Sequence, residues 1–131
     1  MAKWVHHSNC FVARYSVAPD RRADFIAAVQ EIFDFAEKIY DEHCNFAFQG
    51  WGRDPNQWVA IASWKNEEIL GWLRTQEVFM KASVKMLECC DAPMVMENFA
   101  GMKKDRSVFD IYPAGKSEVH LPAGALDVVW R

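Results

Sequence analysis

At 131 residues and a formal net charge of −3, the chain is long enough for one domain with its own core and too acidic for a general nucleic-acid binder. Half of it is hydrophobic and a quarter charged, a balance that fits a globular protein rather than a disordered one. No apolar run approaches the roughly 20 residues that span a bilayer, and residues 1–7 lack the apolar segment of a signal peptide, so no membrane partner is expected.

The expected setting is the cytoplasm, with Cys10, Cys44, Cys89 and Cys90 reduced. No two of them stand in a Cys-x-x-Cys pair, so no metal site is expected, and Cys89-Cys90 reads as a pair of small core residues. Residues 1–9 form an N-terminal arm. Residues 10–17 alternate as a first strand, with Phe11, Ala13 and Tyr15 on one face and Val12, Arg14 and Ser16 on the other. Pro19 and Asp20 then start a helix, with Asp20 as its N-cap. Phe25, Ala28, Val29, Ile32, Phe33, Ala36, Ile39 and Tyr40 recur at helical spacing along it, opposite Glu31, Asp34, Glu37 and Lys38.

Residues 45–51 alternate again, with Phe46 and Phe48 on one side and Ala47, Gln49 and Trp51 on the other. Turn formers at 52–56 join them to a further strand at 57–64, making a hairpin. A second helical region runs from Glu67 to about Cys90, capped by Asn66 and restarted at Thr75, with Phe79, Ala82, Met86, Leu87 and Cys90 on its buried face. Pro93 ends it, and residues 94–99 form a last strand. The order over residues 10–100 is βαββαβ, an α+β ferredoxin-like unit with an antiparallel sheet and helices on one face. Apolar residues are left over for the other face, and a second copy of the chain is the simplest cover, so a homodimer is expected. Residues 101–131 are a C-terminal extension broken by Gly and Pro, with two short strand candidates at 107–112 and 125–130.

Three stretches carry a resemblance. Asp41-Glu42-His43-Cys44 stands before the second strand. Trp64 closes the third strand and leads into an acidic helix start, Lys65-Asn66-Glu67-Glu68. Trp72-Leu73 is then followed by a short polar break and Val78-Phe79. In order and spacing these resemble the antibiotic biosynthesis monooxygenase family of dimeric α/β barrels, over about two thirds of the chain. The resemblance implies that fold, a homodimer, and oxygenation without a bound cofactor of an electron-rich aromatic such as a quinol or polyphenol. The partners would be that small molecule and dioxygen. It places Trp64 and Trp72 as pocket walls, with Phe79 and Ser83 also against the substrate.

His43 is the candidate base, since imidazole titrates near neutrality; the alternative is a helix cap. Arg14 is the candidate clamp for an anionic ligand; the alternative is a surface ion pair. Trp72 with Val78-Phe79 is also similar to the haem-degrading branch. The asparagine and histidine of that branch fall on Ala13 and Ser83 here, and neither supplies an axial ligand for haem iron. Three readings stand side by side: a cofactor-independent monooxygenase, a haem-binding or haem-degrading relative, and a non-catalytic dimer that binds a small ligand.

Overall fold

The computed structural model describes residues 8–101 and 128–130. Strand β1 (Cys10–Ser16) leads through one 3-10 turn (Pro19–Arg21) into helix α1 (Arg22–His43). A hairpin of β2 (Cys44–Trp51) and β3 (Gln57–Trp64) follows, then helices α2 (Glu67–Leu73) and α3 (Glu77–Glu88), strand β4 (Met94–Phe99) and strand β5 (Val128–Trp130). The sheet order is β2-β3-β1-β4-β5; the first four strands are antiparallel, and β5 runs parallel to β4 at the edge. The expected ferredoxin-like order is thus present, and part of the C-terminal extension adds a strand to it. The candidate strand at 107–112 lies outside the described residues.

Helix α1 buries the stripe Phe25, Ala28, Val29, Ile32 and Ala36, spaced at three, four and seven residues so that all face the sheet. Phe33, expected in that stripe, is 43% exposed. Asp20 does not cap α1: it sits inside the 3-10 turn, and no side chain caps α1. Asn66 does cap α2, accepting from the Glu68 N–H at 2.8 Å. The break before α3 is real, but its cap is Gln76; the Thr75 hydroxyl instead donates to the Trp72 carbonyl at 2.6 Å. Helix α3 ends at Glu88, so Cys90 falls beyond it, in a bridge with Val17.

The core lies between the helices and one face of the sheet. Phe25 anchors it, meeting Tyr15 edge-on at 5.5 Å between ring centroids and Trp58 at 5.6 Å. Trp51 stands edge-on to Trp58 at 5.1 Å, and the Arg22 guanidinium lies 4.2 Å above the Trp51 ring. The opposite sheet face also carries apolar side chains: Phe46 and Phe48 from β2, Phe99 from β4 and Val129 from β5 are exposed. Arg14 projects from that face, in an ion pair with Glu97 at 3.4 Å.

Candidate functional site

Alternation decides which strand residues meet the helices, and register decides which of those are neighbours. On the helix-facing side, Ala60 of β3 lies between Gln49 of β2 and Ala13 of β1; in the next row Ala62 lies between Ala47 and Phe11. Four alanines therefore form one floor across the three strands. A leucine or phenylalanine at these positions would reach the helices; a methyl group does not, and a cavity of about 140 Å³ remains above them. Its roof comes from Ile32 and Tyr40 of α1, Leu70 of α2, and Phe79, Met80, Ser83, Met86 and Leu87 of α3. Met94 and Met96 of β4 close one side. Four methionines around one void make polarisable, deformable walls suited to a flat apolar molecule.

A second hollow of about 170 Å³ lies between α1 and the edge of β2. It shares Ile32, Tyr40, Ala47 and Gln49 with the first and continues toward Phe33, Glu37, Asp41 and Phe48. Tyr40 and Gln49 therefore stand between the inner chamber and an outer groove.

The structure brings Phe79 and Ser83 to the inner cavity. Ser83 bonds back to its own helix, donating to the Phe79 carbonyl at 2.8 Å. Trp64 does not line the cavity; it is buried behind it, its ring 5.0 Å from Tyr40, and its indole N–H has no partner among the described residues. Trp72 is half exposed on α2, away from the lining. Arg14 points to the opposite face of the sheet, so it does not meet a ligand here. His43 is also outside the lining. It ends α1, with Nε2 3.8 Å from a Glu42 carboxylate oxygen, and its carbonyl accepts from the Lys65 N–H at 2.8 Å. The chain passes from it into β2 through an extended Cys44 (φ −104°, ψ 145°), so no left-handed cap is formed.

Sequence reasoning missed the polar groups that do reach the cavity: Tyr15, Tyr40, Gln49 and Arg74. Burial pushes both tyrosine phenols well above their ordinary range, so both are protonated throughout the neutral region. Arg74 is half-buried at the break between α2 and α3; desolvation lowers its pKa and nearby Glu67 counters that, leaving a cation against an apolar chamber. Ala13 and Ser83, the positions aligned with the iron-binding asparagine and histidine, both line the cavity.

No family model matches the sequence, and no curated protein matches it either. Solved structures do. A conserved protein from Methanosarcina mazei Go1 is 18% identical, with a TM-score of 0.63 over 73% of this chain and 94% of that one. A candidate antibiotic biosynthesis monooxygenase from Caulobacter crescentus CB15 is 14% identical, with a TM-score of 0.63 over 75% of this chain and 92% of that one. A dimeric ferredoxin-like protein of unknown function from Jannaschia sp. CCS1 is 8% identical, with a TM-score of 0.58 over 70% of this chain and 96% of that one. At such identities the likeness establishes the fold: residues of this chain take the fold found in structures named as antibiotic biosynthesis monooxygenases.

Proposed function

We propose that this chain is a cofactor-independent monooxygenase of a small electron-rich aromatic, of the quinol class, working as a homodimer. The observation that carries the reading is the alanine-floored cavity between sheet and helices, in a fold shared with proteins of that name. An apolar void of roughly 150 Å³ is enough to take up benzene, so about 140 Å³ fits one substituted ring. Any further ring of a polyphenol would have to lie in the outer groove past Tyr40 and Gln49.

In this chemistry the ionised ring is itself the reductant. A hydroquinone and dioxygen give a hydroxylated quinone and water: one oxygen atom forms the new carbon–oxygen bond, the other leaves as water, and the ring supplies the electrons. The protein holds the ring, keeps water away and fixes its orientation. His43 is not among the lining residues, so it is not assigned the proton transfer, and Arg14 is not assigned the clamp. The dimer rests on the second apolar sheet face, where Phe46, Phe48, Phe99 and Val129 are exposed, and on the dimeric state named for the Jannaschia neighbour.

Haem fits this site poorly. Ala13 and Ser83, which stand at the positions of the iron-binding asparagine and histidine, have no group that ligates iron, and a benzene-sized chamber is far smaller than a tetrapyrrole. One observation favours a second reading, a non-catalytic dimer that holds a small ligand: among the described residues neither imidazole nor carboxylate lines the inner cavity. Oxygen uptake by the purified protein with a panel of hydroquinones separates the two. Saturable uptake, lost on heat denaturation, is the expected result. No uptake above background across the panel would leave the ligand-binding dimer.

A further inference from the structure

The outer groove adds charge to a site whose inner chamber is walled mainly by apolar side chains. Phe33, Glu37 and Asp41 stand four residues apart on α1, so one row of the helix delivers an aromatic ring and two carboxylates to the groove. Both carboxylate side chains are exposed, and neither has an ion pair among the described residues. Like charges at this spacing repel one another and weaken the helix slightly; a cation placed between them reverses the sign of that interaction. Phe33 is 43% exposed, so a face of its ring is open beside the two acids. An ammonium is attracted by both, by the negative face of the ring and by the carboxylate charge.

The groove is continuous with the inner chamber, because Ile32, Tyr40, Ala47 and Gln49 line both. The chamber of about 140 Å³ holds one ring, whereas pockets for small molecules start at roughly 300 Å³. That size is approached only when the groove, about 170 Å³, belongs to the same site. At the junction the Tyr40 hydroxyl has no hydrogen-bond partner among the described residues, and a protonated phenol accepts as well as donates. Gln49 is held beside it, its amide oxygen accepting from the Trp58 indole N–H at 3.0 Å. A chain of a few carbon atoms leaving the inner ring would pass between these two side chains toward the acids.

We propose that chamber and groove form one two-part site for a phenolic ring that carries a short alkylammonium tail. The ring lies on the alanine floor, the tail passes Tyr40 and Gln49, and the ammonium lies between Glu37 and Asp41 against the Phe33 ring. An alkylammonium keeps its proton through the neutral range, so the tail arrives charged. The groove then selects by the charge of the tail: a hydroxyl is held less well, and a carboxylate is repelled. This names a substrate class within the monooxygenase reading and rests on the inner cavity being the substrate site.

Four probes share one phenol ring and differ in the tail. Tyramine ends in an ammonium, tyrosol in a hydroxyl, 4-ethylphenol in a methyl group and 4-hydroxyphenylacetate in a carboxylate. Each is titrated calorimetrically into the full chain at neutral pH. At low ionic strength tyramine should bind roughly fivefold tighter than tyrosol and at least about tenfold tighter than 4-hydroxyphenylacetate, and about 0.5 M salt should shrink both ratios. The double variant Glu37→Gln, Asp41→Asn should bring tyramine to the affinity of tyrosol, with 4-ethylphenol binding and the circular dichroism spectrum unchanged. Ala60→Leu, which fills the chamber floor, should weaken all four probes together. Equal affinity for tyramine and tyrosol, a preference that survives the double variant, or no binding of any probe at millimolar concentration would each overturn the proposal. So would tyramine binding untouched by Ala60→Leu, since the amine would then lie in the groove without its ring in the chamber. Oxygen uptake is read separately with hydroquinone. Amine preference without uptake removes the monooxygenase and leaves this inference; uptake without amine preference does the reverse.

Discussion

Replacing Ala60 with leucine tests whether the alanine floor is what keeps the chamber open. Ala60 lies in the centre of the floor, flanked by Gln49 and Ala13. At roughly 24 cal/mol per Å³, an enclosed void of about 140 Å³ would cost about 3 kcal/mol, which is the upper bound for a chamber that opens toward the outer groove. Leucine adds three carbon atoms, each close to the ~30 Å³ that a water occupies in the liquid, and so fills somewhat more than half of the space. That recovers about 2 kcal/mol, less the strain of fitting the branch beside the cluster of Leu87, Met94 and Met96, for a net gain of about 1 kcal/mol. For a chain of this size the melting temperature should rise by roughly 3–5 °C. Binding of 4-nitrophenol, followed by tryptophan fluorescence, should weaken at least tenfold. Stability gained while binding is lost is the mark of a void kept for a ligand. A melting temperature lowered by several degrees with binding intact would show that position 60 does not face the void.

Four further outcomes follow from particular contacts. His43→Ala should leave probe binding and oxygen uptake within twofold of wild type, since the ring lies outside the cavity lining; loss of uptake in a folded variant would restore His43 as the base. Asn66→Ala removes the acceptor for the Glu68 N–H and should cost about 1 kcal/mol in chemical denaturation, with probe binding retained. Phe46→Glu puts a charge on the exposed sheet face and should convert a dimer to a folded monomer in sedimentation; a wild-type monomer at micromolar concentration would refute the dimer. Stability should fall above pH 9. Burial pushes the Cys44 thiol up to about 12 in the fold, while the unfolded thiol ionises near 9, so the native state holds the extra proton across that window. The loss is then at most about 1.4 kcal/mol per pH unit from this group, and Cys44→Ala should flatten it.

The fold was legible because its signals are local. The parity of Phe11, Ala13 and Tyr15, the turn formers at 52–56 and the cap at Asn66 each act over a few residues, and the structure has each where the sequence places it. Misplaced features depended on what lay further away. Asp20 is a competent cap residue, but a 3-10 turn comes first and moves the start of α1 to Arg22. Phe33 fits the helical spacing, yet its ring lines the outer groove beside edge strand β2 and stays 43% exposed.

The site was less legible because reactive side chains do not mark it. His43 and Arg14 stand out by their chemistry and Trp64 and Trp72 by the family resemblance, and none of the four lines the inner cavity, while Phe79 and Ser83, also placed by the resemblance, do. The cavity is made instead by what is missing. Strand positions facing a core favour β-branched and aromatic residues, because those fill the space under the helices. Ala13, Ala47, Ala60 and Ala62 each leave a deficit there, and one alanine alone means little. Only the register, with Ala62 opposite Ala47 and Ala60 opposite Ala13, turns four separate deficits into one chamber. Alternation was readable in both strands of the hairpin, so pairing Ala60 and Ala62 with Ala47 across its turn was within reach of the sequence. Adding Ala13 needed the β1–β3 register, which is a long-range fact. The polar side chains around the void then acquire meaning together: Tyr15, Tyr40 and Gln49 lie on three different elements, Arg74 lies at the α2–α3 break, and only the fold brings them to one ring-sized space.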